Sequence, residues 1–197
     1  MQQFVGRVLT AFVFSTLACV LAALTTAPAN ASLIEFHATL LGANEAPPNM
    51  SPATGSINAV LNDAANFLTV NGTFTGLQSP TVSAALQVAP AGINGPIALN
   101  LSVVGFPGGV TSGIFGGTFD LAAPPPLGLL GGITVATFIT QLVAGNIYAN
   151  IRTEDVPAGE IRGQLNLIPL PAALPLFATG LGALGLFGWR RKRTRAT

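Results

Sequence analysis

The sequence predicts an all-β domain, an antiparallel two-sheet Greek-key-like sandwich with one short helix, set between a signal peptide and a C-terminal transmembrane helix. Three observations predict it. The central chain is a series of short apolar runs, several of which alternate with period two. Gly, Pro and Asn fall between the runs, where turns are needed. Six of the eight Lys and Arg residues lie outside this central stretch, each beside one of two long apolar segments near the ends of the 197-residue chain. The boundaries that follow are residues 1–31, 32–167 and 168–197.

The first segment has the order of a secretory signal: Arg7, an apolar stretch from Val8 to Leu24, then Ala29-Asn30-Ala31 as a small-x-small cleavage site. Cleavage after Ala31 makes Ser32 the first mature residue; an uncleaved anchor is the alternative. The one cysteine, Cys19, lies inside the apolar stretch, which continues to Leu24 and argues against lipid attachment there. A mature chain starting at Ser32 has no thiol for a disulfide or for catalysis.

The strands are expected at 33–41, 55–61, 67–74, 81–88, 97–104, 113–121, 147–153 and 160–167. In Ile161-Arg162-Gly163-Gln164-Leu165-Asn166-Leu167 the apolar residues share one face and the polar residues the other. Turn chemistry is read at Pro47-Pro48-Asn49, Asn71-Gly72, Pro90-Ala91-Gly92, Pro107-Gly108-Gly109 and Pro124-Pro125-Pro126. The stretch Thr137–Ala144 breaks the pattern. Phe138/Leu142 and Ile139/Val143 are spaced i, i+4 and Gly145 follows as a C-cap, which predicts the single helix.

From Leu167 through Trp189 there are 23 residues without a charge. About 20 apolar residues cross a bilayer core as a helix, which predicts a span over about residues 171–189. Pro171 and Pro175 fall at its start, where proline is tolerated. Trp189 stands at an interface position, and Arg190, Arg191, Lys192, Arg193 and Arg195 form a basic stop that stays on the cytoplasmic side. The alternative is a buried core helix, which has no need of a basic cluster. Ahead of the span lies Ile168-Pro169-Leu170-Pro171-Ala172. This three-part tail resembles the sorting signals of the PEP-CTERM class, in the variant that begins Val-Pro-Leu-Pro-Ala, with Ile168 in place of the valine. The resemblance implies a bacterial envelope protein processed by an exosortase-type membrane enzyme, with the helix removed after export.

Between residues 32 and 167, seven acids face two bases, Arg152 and Arg162, a formal charge of −5. Nucleic-acid binding needs clustered cations, so no nucleic-acid partner is expected. No Gly-x-Ser-x-Gly, His-Glu-x-x-His or phosphate loop is present. Glu45 and Asp120 are conceivable as a glycosidase pair, but nothing in the sequence brings them together. His37, the lone histidine, is expected on an exposed face without a chemical role. Asn49, Asn71 and Asn100 begin N-x-S/T triplets, which the bacterial-style tail leaves without a glycosylation role. Arg152, Glu154, Asp155, Glu160 and Arg162 form the densest charge group. Arg152, Glu160 and Arg162 read either as a polar ligand patch or, the favoured reading, as cross-strand ion pairs worth about 0–1 kcal/mol each if exposed.

Leu40-Leu41-Gly42-Ala43-Asn44-Glu45-Ala46-Pro47-Pro48 resembles the opening of a CHRD domain, the module named from chordin and also found in bacterial secreted proteins. Gly145-Asn146-Ile147-Tyr148-Ala149-Asn150-Ile151-Arg152-Thr153 and Pro157-Ala158-Gly159-Glu160-Ile161-Arg162-Gly163-Gln164-Leu165 resemble its closing strands. The resemblance supports an all-β sandwich and brings no defined activity. CHRD domains carry a His-x-His pair and a further His, and the matching positions are taken here as Leu86, Val88 and Arg152. Two apolar residues and a permanent cation cannot bind a metal, so no metal and no cofactor are expected.

The chain is thus expected to be an exported cell-surface or extracellular-matrix protein without enzymatic activity. Its expected partners are the membrane, signal peptidase, an exosortase-type processing enzyme and exopolysaccharide. An extracellular binding module for a peptide or glycan is the alternative; a hydrolase or metal enzyme is disfavoured.

Overall fold

The computed structural model describes residues 33–169. Alternating apolar residues form long strands at the start: β1 (Leu33–Leu41), β2 (Thr54–Asn62) and β3 (Phe67–Thr75). After them come β4 (Thr81–Val88), β5 (Ile97–Asn100), β6 (Gly113–Asp120), helix α1 (Val135–Val143), β7 (Ile147–Thr153), β8 (Ile161–Gln164) and β9 (Asn166–Leu167). β1, β4 and β7 have the bounds read from the sequence.

The expected two-sheet sandwich is corrected to one antiparallel sheet of nine strands, curled into a half-barrel, in the order β5-β4-β7-β8-β1-β2-β3-β6 with β9 also on β1. The closing run makes the sheet continuous. β8 pairs with β7 over Gln164↔Tyr148 to Ile161↔Ile151 and with β1 at Arg162↔Leu41, and β9 then pairs with β1 at Leu167↔Phe36. A sandwich would need a break at this seam. The alternation of inward and outward side chains is the same in both architectures, which is why it did not distinguish them.

The concave face holds the core. Phe36, Leu40, Ile57, Leu61, Leu68, Leu86, Ile151 and Ile161 are each fully buried there. α1 covers one end of it with Phe138 and Leu142, capped by Thr134, whose Oγ1 accepts the Thr137 N–H at 3.2 Å. The expected start at Thr137 moves back to Val135 because this threonine supplies the cap. Gly145 follows the helix with φ of 74°, as expected for a C-terminal glycine. β5 ends early: Asn100 Oδ1 accepts the Ser102 N–H at 2.9 Å and turns Leu101–Val103 into a 3-10 turn. That redirects Phe106 onto Phe74 and Phe115, at ring-centroid distances of 5.7 and 5.2 Å, and closes the far side of the core.

Asn71-Gly72, read as a turn, instead lies within β3, paired with Gly116 and Phe115. A Cβ at Gly72 would collide with the Phe115 ring, so the glycine makes room for an aromatic packed on the strand. The β2–β3 turn is made at Asn66, with φ of 57°. Among the described residues no helix is long and apolar enough to cross a membrane. The expected signal peptide with Ala29, Ala31 and Ser32, the helix over 171–189, Leu170, Pro171 and Ala172 of the sorting motif, and the basic stop lie outside the described residues.

Candidate functional site

The polar residues of β1, β8 and β9 point away from the core, and two loops fold back over them. Residues 42–51 follow β1. Asn49 fixes this loop by donating from Nδ2 to the carbonyl of Glu160 at 2.9 Å and by accepting the Ser51 N–H at 3.0 Å. Gly42 allows that arrangement, since a Cβ there would collide with Asn49 Oδ1. Residues 89–96 follow β4 and approach from the other side. Between the loops lies a groove of about 1120 Å³, with His37 and Thr39 on one wall and Gln164, Asn166, Leu167, Ile168 and Pro169 along the seam.

Arg162 forms the floor. It is 1% exposed, and its guanidinium lies 3.4 Å from the Tyr148 ring centroid. It donates to Asn94 Oδ1 at 3.1 Å and to the carbonyls of Ile93 at 2.8 Å and Pro90 at 3.3 Å. Five donors in a planar fork suit a pocket lined with carbonyls, where Lys would offer a single point charge. Asn94 in turn donates to the Ala46 carbonyl, so Arg162 and Asn94 staple the two loops together.

Glu45 hangs from the first loop beside this cation. It is 7% exposed, and its Oε1 has no hydrogen-bond partner. Burial pushes its carboxyl up to about 7, against the opposing pull of Arg162, the Ala46 amide and Arg152. The sequence suggested Glu45 only as half of a glycosidase pair. Asp120, the other half, ends β6 at the far edge of the sheet, with β2 and β3 intervening, and accepts the Ala122 N–H.

The charge group read from the sequence divides in three. Arg162 is the groove floor. Glu160 is fully buried outside the groove, accepting from Ser51 Oγ at 2.7 Å and the Gln78 N–H at 2.8 Å on Oε1, and from Thr153 Oγ1 at 2.8 Å on Oε2. Arg152 is half-buried on β7, while Glu154 and Asp155 are exposed. The hydrogen bonds of Glu160 and Arg162 go to uncharged groups, so the reading of exposed ion pairs gives way to buried clamps. The alternation of β8 gave the inward face correctly. The loops that cover its outer face have no period to reveal them.

The metal argument also changes face. Leu86 and Val88 pack with the core, whereas Arg152 shares the outer face with Tyr148 and Asn150. The three positions do not converge. The residues of β4 on the same side as Arg152 are Ser83, Ala85 and Gln87, through the register Ser83↔Arg152 and Ala85↔Asn150. Among the described residues no group of three or more His, Cys, Asp or Glu is gathered. His37 is half-buried, with Nδ1 2.9 Å from Asn58 Oδ1. Of the sorting motif, Ile168 and Pro169 are described: both line the groove, and the Ile168 N–H donates to the Glu35 carbonyl at 2.8 Å.

No curated protein and no solved structure matches the chain. The family model of the CHRD domain matches residues 36–165, a span that runs from within β1 through β8 and takes in both loops of the groove, Glu45, Glu160 and Arg162. The chain belongs to the CHRD domain family.

Proposed function

We propose that this is an exported bacterial protein of the cell surface or extracellular matrix, without enzymatic activity, sorted by an exosortase-type system. The observation that carries the reading is the order of the last thirty residues: Ile168-Pro169-Leu170-Pro171-Ala172, an apolar stretch to Trp189 and the cluster Arg190–Arg195. The motif follows β9 directly, and its first residue is still held to β1, the Ile168 N–H donating to the Glu35 carbonyl. In this reading residues 1–31 are removed as a signal peptide and residues 168–197 act in sorting. The domain between them is delivered to the envelope or its exopolysaccharide. The test is a Pro169→Ala/Pro171→Ala double variant followed by cell fractionation. An uncut, membrane-bound form should accumulate, and release at the wild-type rate would reduce the tail to a plain anchor.

A second reading, an extracellular binding module for a peptide or glycan, is favoured by the groove. Polar side chains of β1, β8 and β9 and a buried carboxyl, Glu45, line an opening large enough for a ligand.

A further inference from the structure

β1 extends beyond the residues that pair with it. The Glu35 carbonyl accepts on the side of β9, so by the alternation of an antiparallel strand the odd-numbered residues of β1 turn their N–H and C=O groups that way. Leu41 lies opposite Arg162, the Thr39 carbonyl accepts from Asn44 Nδ2, His37 lies opposite Asn166, and the Glu35 carbonyl accepts the Ile168 N–H. Leu33, the first residue of β1, has no backbone partner on this side among the described residues. Its side chain is 53% exposed, and that of Ile168 is 41% exposed.

The sequence after β9 suits this open end. Phe36 pairs with Leu167, and continuing that register sets Ile34 opposite Pro169 and Leu33 opposite Leu170, the first residue beyond those described. Ile168 and Leu170 then turn their N–H groups toward β1. Pro169 and Pro171 fall at the alternate positions, where the N–H of any other residue would point away from β1, so neither proline costs the pairing a hydrogen bond. In this register the Leu170 side chain shares a face with Leu33 and Ile168 and covers apolar surface that both expose. A foreign strand would find the N–H and C=O of one residue to pair with. The chain's own continuation is already aligned, and it is tethered at Ile168.

We propose that the open end of β1 is the docking site of the chain's own tail: the strand continues through Leu170, which pairs with Leu33, and the folded domain thereby shields the motif Ile168–Ala172 from processing. An enzyme that reads an extended segment grips its backbone along an open edge. Here one edge is turned to β1 and the other lacks N–H groups at Pro169 and Pro171, so the enzyme has to peel the motif away first. Cleavage after Ala31 leaves Leu33 in the chain, so the shield outlasts the signal peptide. The shielding rests on the sorting reading; the pairing does not.

The test has two arms. In the first, the full chain carrying Cys19→Ser is made in a host without the processing enzyme, purified in detergent and mildly oxidised. Leu33→Cys/Leu170→Cys should form a disulfide, because the Cα atoms of a hydrogen-bonded antiparallel pair stand about 5.5 Å apart. Leu33→Cys/Leu174→Cys should form one about tenfold more slowly. Equal rates, or no disulfide in either variant, would overturn the pairing. In the second arm, tail processing is followed by pulse–chase in cells that carry the sorting system. Leu33→Pro removes the N–H that faces Leu170, at the start of a strand where proline is accepted, and should speed processing about fivefold, the weight of one hydrogen bond. Leu33→Asp leaves the backbone intact and sets a charge against the Leu170 side chain; it should speed processing about threefold and serves if the proline variant does not fold. An unchanged or slower rate in the folded variants would overturn the shielding. A wild-type tail that is never cut would remove the sorting reading and the shielding with it, while the disulfide still decides the pairing.

Discussion

Replacing Glu45 by Gln should change stability in a way that depends on pH. The carboxyl is 7% exposed, and burial raises it from an ordinary 4.5 to about 7 even though Arg162, the Ala46 amide and Arg152 pull the other way. In the unfolded chain it titrates near its ordinary value. Between those two pH values the folded chain therefore holds a proton that the unfolded chain has lost. The stability linked to this group is fully present below about pH 4.5 and declines as pH rises through 7. The full decline corresponds to about 3 kcal/mol. Glutamine has the shape of the protonated acid and cannot ionise. Urea unfolding of residues 32–169, which contain every strand of the sheet, should give wild type and Glu45→Gln similar stabilities at pH 4. At pH 8 the variant should be the more stable by about 3 kcal/mol. A difference of the same size at both pH values would refute the argument, because it would place the cost in shape or hydrogen bonding and not in the buried charge.

Four further outcomes are expected. Glu160→Ala strands Ser51, Thr153 and the Gln78 amide, and should cost about 3 kcal/mol or more by urea denaturation. Gly159→Ala should cost about 2 kcal/mol or more in the same assay, because Gly159 has φ of 140° and a Cβ there would collide with the Asn150 amide. N-terminal sequencing of the exported protein should begin at Ser32; an intact Met1 would rule out cleavage after Ala31. Elemental analysis of the purified protein should find no stoichiometric zinc or copper, and one tightly held metal per chain would redirect attention to His37 and the carboxylates.

The strands were legible because burial on one face imposes a period of two. The ends of β1, β4 and β7 follow from it, and so does the inward set Ile161, Gly163 and Leu165, whereas Leu167, read on the same face, is exposed and lines the groove. α1 was legible from Phe138 and Leu142, and it starts two residues before that pair's pattern because Thr134 supplies the cap. The number of sheets was not legible, since the pairing of β8 and β9 with β1 leaves no mark on alternation. The site was half legible. Arg162 and Glu160 stood out as charges in a nearly uncharged domain, but their burial comes from the loops at 42–51 and 89–96, whose packing is long-range. For the same reason nothing near Glu45 in sequence announces a buried carboxyl: the cation beside it comes from β8. Leu86 and Val88, matched with Arg152 through the family resemblance, lie on the opposite face of the sheet from it, which a match of short motifs does not reveal because the facing of two strands depends on their register.

The seam that makes the sheet continuous also sets the order in which it can form. β1 is among the first described residues and β8 and β9 are among the last, and Asn44 binds the carbonyl of Arg162 across 118 positions of chain. The hairpins β1–β2 and β2–β3 can assemble early from neighbours in sequence. One edge of β1 must then wait, with its amides and carbonyls unpaired, until the whole remainder of the domain has emerged. Such an edge is the adhesive surface of an incomplete sheet. A chain that crosses a membrane from its N-terminus would carry it exposed until the closing run arrives, so the same residues that finish the groove also end the period of greatest risk for aggregation.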